Sequence, residues 1–75
     1  MRIMITGGAG FQGSRLAEKW LRAGHDVTVL NTYSAEAEQN LALVIEQISM
    51  VWGSVTDREI VEKTVRGHDV VVHLA

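Results

Sequence analysis

The sequence predicts an α/β fold in which a parallel sheet carries helices on both faces. Three observations predict it. Four short runs with β-branched character alternate with three amphipathic stretches. The junctions carry glycines or cap-forming residues. Seventy-five residues with 47% hydrophobic content supply one small core and no more, so a two-domain enzyme is excluded.

Arg2 to Thr6 is the first strand, and it stops at the cluster Gly7, Gly8, Gly10, Gly13. A helix follows from Phe11 to Ala23. Phe11, Leu16, Ala17, Trp20, Leu21 and Ala23 fall near helical spacing, with Arg15, Glu18, Lys19 and Arg22 mostly on the opposite side. Gly24 ends it in the left-handed conformation. Asp26 to Leu30 is the second strand, and Ser34 caps a second helix whose apolar stripe is Ala37, Leu41, Val44 and Ile45. Ile48 to Trp52 is the third strand, closed by Gly53. Thr56 with Glu59 reads as a capping box and Val55 with Ile60 as a hydrophobic staple, which starts a third helix near Asp57. Glu59 with Lys63 and Glu62 with Arg66 support that helix as ion pairs, and Gly67 ends it. Asp69 to Ala75 is a nearly continuous apolar run, expected to be a strand buried on both faces.

Gly24-His25-Asp26-Val27 recurs as Gly67-His68-Asp69-Val70, each time between a helix and a strand. The two copies are too few for a solenoid and report one local job done twice. Glycine closes the helix, histidine sits against its negative end, and aspartate opens the strand.

The alternating order implies parallel strands joined by right-handed crossovers. By analogy with doubly wound sheets, the strand order is expected to be 3-2-1-4, with the first two helices on one face and the third on the other. Ligands in such sheets bind beyond the carboxyl ends of the strands, at the switch between strands one and four. The glycine loop emerges there.

Composition removes other classes. Without cysteine there is no disulfide framework, thiolate metal site or cysteine nucleophile. Three scattered histidines without clustered carboxylates match no familiar metal spacing, so no metal is expected. Net charge is −2 with no Lys/Arg cluster, which argues against nucleic acid. The apolar runs fall well short of the roughly twenty residues that a membrane span needs, and the amino terminus has no secretory layout. Cytoplasm is the default expectation.

The loop Thr6-Gly7-Gly8-Ala9-Gly10-Phe11-Gln12-Gly13 holds two overlapping spacings, Gly8/Gly10/Gly13 as G-x-G-x-x-G and Gly7/Gly10/Gly13 as G-x-x-G-x-x-G. Either alone is weak, and a glycine turn that merely joins strand to helix is the plain alternative. Here a strand precedes the loop and an amphipathic helix follows, which is the context a dinucleotide site requires. The amides near Phe11 and Gln12, at the positive end of the first helix, would meet the phosphates. A mononucleotide P-loop needs Gly-Lys-Ser/Thr at its close, whereas this loop ends Gly13-Ser14-Arg15.

Thr-Gly-Gly-Ala-Gly-Phe-Gln-Gly-Ser at 6–14, Gly-His-Asp-Val-Thr-Val-Leu at 24–30, Gly-Ser-Val-Thr-Asp at 53–57 and His-Leu-Ala at 73–75 stand in order along the chain. Together they resemble the amino-terminal part of the extended short-chain dehydrogenase/reductases, the NAD-dependent nucleotide-sugar epimerase/dehydratase family. The resemblance implies a partial Rossmann-like domain over residues 1–75, with the substrate domain absent. It implies a pyrophosphate site at Gly7, Gly10 and Gly13 with the amides of Phe11 and Gln12. Asn31, eighteen residues after Gly13, stands where the family usually has an aspartate on the adenosine ribose, and Thr32 beside it joins the cofactor set. Ser54 and Val55 match the adenine contacts, and Leu74 with Ala75 match the strand end beneath the cofactor.

Several positions depart from the family pattern. Asn31 lacks a carboxylate's charge assistance, Ser54 replaces a usual aspartate, and Gln12 replaces an aliphatic residue. A neutral Asn31 does not repel a 2′-phosphate, yet no arginine follows to attract one. NAD is favoured over NADP. The family's catalytic Tyr-x-x-x-Lys pair is absent, since four residues after the lone tyrosine, Tyr33, stands Ala37. No catalytic residue is assigned. His25, His68 and His73 are read as structural, and Trp20 and Trp52 as packing residues.

Two functions compete. One is the dinucleotide-binding segment of a dehydrogenase, catalytic only with the remainder of such an enzyme. The other is a self-associating interaction or regulatory module with weak or lost nucleotide binding. Under either, a fourth strand at the sheet edge invites another chain, and a homodimer pairing two fourth strands antiparallel is expected.

Overall fold

A computed structural model describes residues 1–74; Ala75 lies outside the described residues. The elements are β1 (Arg2–Thr6), α1 (Phe11–Arg22), β2 (Asp26–Asn31), α2 (Ala35–Asn40), β3 (Ser49–Trp52), α3 (Arg58–Val65) and β4 (Val70–His73). The four strands form one parallel sheet in the order β3-β2-β1-β4. Ile5 sits opposite Val29 on one side and Val72 on the other, and Val29 opposite Met50.

That register sorts the side chains by face. Ile3, Ile5, Val27 and Val29 point one way and form the main core with Ala17 of α1, Ala37 of α2, and Leu41 and Val44 beyond it. Met4, Thr6, Thr28 and Leu30 alternate onto the opposite face and are also buried. Ile60 of α3 packs there against Leu30 across Gly53, where an added Cβ would lie 2.9 Å from the Ile60 Cδ1. His68, just past α3, reaches the same face and shares a 2.7 Å hydrogen bond with the Thr28 hydroxyl.

Both copies of the Gly-His-Asp-Val echo act on β1. Gly24 and Gly67 take φ of +94° and +77°. The Asp26 N–H donates to the Met1 carbonyl at 3.0 Å, and the Asp69 N–H to the Arg2 carbonyl at 2.8 Å. Asp69 Oδ2 also accepts the Arg2 N–H. The histidine rings do not sit against the helix ends as expected. His25 caps α1 through its backbone N–H on the Trp20 carbonyl, while its ring meets the amino terminus, and the ring of His68 turns to Thr28.

Other expectations need correction. Phe11 is no core residue: it is 67% exposed and carries the Arg15 guanidinium over its ring. Helix α2 ends at Asn40, and mixed three- and four-residue turns continue to Ile48; Leu41 and Val44 keep their buried positions without a regular helix. The cap of α3 is Asp57, whose carboxylate accepts the Ile60 N–H at 3.3 Å. Thr56 is occupied with Ser54, and Asp57 brings a negative charge to the helix's positive end. Glu62 pairs with Arg58 at 3.1 Å rather than with Arg66.

The largest correction concerns β4, whose residues are not buried on both faces. Val70, Val71 and Leu74 are 37%, 45% and 43% exposed. A continuous apolar run signals two covered faces in the middle of a sheet. Here, among the described residues, β4 pairs with β1 alone and forms one edge of the sheet, and of its valines Val72 packs against the core.

Candidate functional site

The three helix starts differ in a way that matters chemically. Ser34 accepts the Ala37 N–H at 2.9 Å and Asp57 caps α3, and both helices carry glutamate in the first turn. Helix α1 begins at Gly10 with no side-chain cap and no acidic residue in its first turn. Its first ladder bond runs from the Ser14 N–H to the Gly10 carbonyl at 2.8 Å. The amides of Phe11, Gln12 and Gly13 therefore precede the ladder, at the positive end of a twelve-residue helix. That end suits an anion.

The glycines divide into two jobs. Gly7 takes φ of +74°, and its carbonyl accepts the Gly10 N–H at 3.2 Å, closing the turn. A Cβ on Gly8 would lie 2.8 Å from Val29 Cγ1, and one on Gly13 would lie 2.4 Å from the Gly7 carbonyl oxygen. Both are bare because protein packs against them. Gly10 is different, since its Cβ would meet only the Gly7 oxygen, at 3.5 Å. The space in front of it is left open by the fold. Of the two overlapping spacings, Gly7/Gly10/Gly13 describes the turn, while Gly8 belongs to the core.

Two asparagines hold the turn. Asn31 Oδ1 accepts the Ala9 N–H at 3.2 Å, and Asn40 Nδ2 donates to the Ala9 carbonyl at 3.0 Å. Asn31 Nδ2 donates in addition to the Thr32 carbonyl at 2.8 Å. The Ala9 residue, 1% exposed, is thus gripped at both polar ends from the tip of β2 and the end of α2. Such clamping fixes the loop before any ligand arrives.

Beside the turn lies a cavity of about 180 Å³. Gly7, Ala9, Gly10 and Phe11 come to it from the loop, Asn31 from β2, and Ser34, Glu36, Ala37 and Asn40 from α2 and its cap. A larger hollow of about 480 Å³, bounded by Ala35, Glu38, Gln39, Ala42 and Ile45, contains none of the loop amides. Size does not decide between them; only the first joins the uncapped helix end to an open glycine. The residues fit a diphosphate-bearing ligand, because Gly10 leaves the space and the helix end supplies the donors.

Of the expected site residues, Gly7, Gly10, Phe11 and Asn31 line this cavity, with Gln12 and Gly13 in the adjoining turn. Thr32, Ser54, Val55 and Leu74 do not. Ser54 makes a local turn with Thr56, and the Leu74 N–H extends the sheet by donating to the Thr6 carbonyl at 2.9 Å. Ala75 is outside the described residues. His73 Nδ1 hydrogen-bonds the Thr6 hydroxyl across β1 and β4. Sequence reasoning missed Ala9, Glu36 and Asn40. Ser34 and Ala37 were legible only as cap and core. Among the described residues, no three His, Asp or Glu side chains gather into a metal site, and no helix is long and apolar enough to cross a membrane.

The model of the NAD dependent epimerase/dehydratase family matches residues 3–75. A UDP-N-acetyl-alpha-D-glucosaminuronate decarboxylase of Bacillus cytotoxicus is 41% identical over 99% of this chain, covering 23% of its own length. A dTDP-glucose 4,6-dehydratase of Mycobacterium tuberculosis is 43% identical over all of this chain and 24% of itself. Among solved structures, the Bordetella bronchiseptica enzyme WbmG in complex with NAD superposes with a TM-score of 0.85 at 40% identity, over 100% of this chain and 24% of that one. The Thermus thermophilus UDP-glucose 4-epimerase complex with NAD gives 0.82 at 34%, with the same coverage. The chain spans about a quarter of the length of these relatives.

Proposed function

This chain belongs to the NAD dependent epimerase/dehydratase family, and from that premise we propose that it is a dinucleotide-binding Rossmann segment that takes NAD. The pyrophosphate sits over Gly10 and accepts from the amides of Phe11 and Gln12, with Gly7 and Gly13 shaping the turn. The adenosine extends past Asn31 and Thr32 toward Ser54 and Val55, and Leu74 follows the carboxyl end of β4 on the opposite side of β1. The observation that carries this reading is the uncapped, acid-free start of α1 opening beside Gly10, a loop glycine that the fold itself leaves uncrowded. WbmG, crystallised with NAD, supports it.

The chain holds and orients the cofactor and does not transfer hydride by itself, because Tyr33 is followed at the fourth position by Ala37 and no Tyr-x-x-x-Lys pair is present. Calorimetric titration with NAD tests the binding. Saturable heat is expected, reduced at least tenfold in affinity by Gly10→Val, roughly the effect of overfilling a close-packed contact. A folded chain that gives no saturable heat, or a Gly10→Val variant that binds equally well, refutes it.

The exposed outer strand favours self-association as well. Two β4 strands pairing antiparallel about a two-fold axis would cover Val70 and Val71 and make one continuous sheet. Sedimentation at micromolar concentration is expected to give the mass of a dimer. A monomer refutes this second reading and leaves the first untouched.

A further inference from the structure

We infer that Glu36 is the residue that selects NAD over NADP in this chain, in place of a carboxylate at the tip of β2. The inference rests on the dinucleotide reading above. It begins with what Asn31 is doing. Its Oδ1 accepts from Ala9 and its Nδ2 donates to Thr32, so the side chain is committed to holding the loop. It also carries no charge. A ribose diol and a 2′-phosphate are therefore poorly distinguished by Asn31, since neither a charge-assisted acceptor nor a repelling anion stands there.

Glu36 supplies both. It lines the same cavity as Gly7, Gly10 and Asn31, and it is the single ionisable side chain that does so. It is exposed, and among the described residues it forms no ion pair; the pairs are Arg22 with Glu18 and Arg58 with Glu62. Arg15, the cation nearest in sequence to the loop, is stacked on the Phe11 ring at 4.4 Å and does not line the cavity. The cavity thus has a positive helix end contributed by α1 and a free carboxylate contributed by α2. A ligand bearing a diphosphate at the first and a neutral diol near the second satisfies both walls. A 2′-phosphate near the second brings like charges together.

Glu36→Gln keeps the shape and removes the charge. Titrating the chain and the variant with NAD and NADP at low salt should show a wild-type preference for NAD and an NAD-to-NADP affinity ratio reduced about fivefold in the variant, the scale of one exposed charge pair. The wild-type preference should shrink as salt is added. Gly10→Ala is the companion variant: it weakens both nucleotides alike and leaves the ratio unchanged. An unchanged ratio in Glu36→Gln, with both nucleotides binding, overturns the assignment to Glu36 while the dinucleotide site stands. A wild-type preference for NADP overturns it equally. A folded wild-type chain that binds neither nucleotide overturns the site, and the assignment with it.

Discussion

Gly10 and Gly13 lie three residues apart in one loop, yet alanine at the two positions should have opposite consequences. At Gly13 the new Cβ would stand 2.4 Å from the Gly7 carbonyl oxygen and 2.7 Å from Gly8 Cα. Both obstacles are backbone, so α1 must move away from β1. Overpacking of this kind costs about 3 kcal/mol, against a total of about 4 to 11 kcal/mol for a domain of this length. At Gly10 the Cβ meets nothing closer than 3.5 Å, and φ of −72° suits any residue. Glycine to alanine at a helix N-cap should cost about 0.5 to 1 kcal/mol, well short of the cost at Gly13. Its methyl group projects into the space assigned to the diphosphate and should lower NAD affinity at least tenfold, about 1.4 kcal/mol. Urea denaturation and calorimetric titration on both variants check the pair. The reasoning fails if Gly10→Ala unfolds as early as Gly13→Ala, or if Gly10→Ala binds NAD like the parent.

Asn40→Ala removes the donor to the Ala9 carbonyl and should cost about 1 kcal/mol in urea denaturation while weakening NAD several-fold, since the loop is no longer held from α2. Asp57→Ala should cost about 1 kcal/mol and Thr56→Ala distinctly less, with NAD titrations unchanged in both, because the aspartate is the cap of α3. Val71→Pro should convert a dimer to a monomer and spare the chain's own ladder. The Leu74 N–H faces β1, and alternation along the strand turns the Val71 N–H toward the free edge. Sedimentation and circular dichroism together check it; lost β signal in the monomer would contradict the assignment of that amide.

The order of elements was legible because each junction is written in glycine or a capping residue, and because strands and helices differ in apolar period. The strand order followed from the analogy with doubly wound sheets, which the alternation of strands and helices invites. What escaped was whatever depends on a neighbour far along the chain. A hydrogen bond from Asn40 to Ala9 spans 31 residues and leaves no local trace. Glu36 reads as an ordinary first-turn glutamate until the fold brings it to the glycine loop. Thr56 and Asp57 are both competent caps, and only the local turn at Ser54 decides between them. The exposure of β4 was misread for a related reason: Val70-Val71-Val72 looks the same at the centre of a sheet as at its rim.

The central position of β1 has a consequence for how the molecule comes into being. That strand is flanked on one side by β2, which follows within a few dozen residues, and on the other by β4, which brings Asp69 from 67 residues beyond Arg2. Pairings of greater sequence separation carry the larger loop-closure cost, so the second flank is expected to close after the first. A meander of neighbouring hairpins would mature piecemeal, whereas this sheet completes its central strand only when the most distant of its partners arrives.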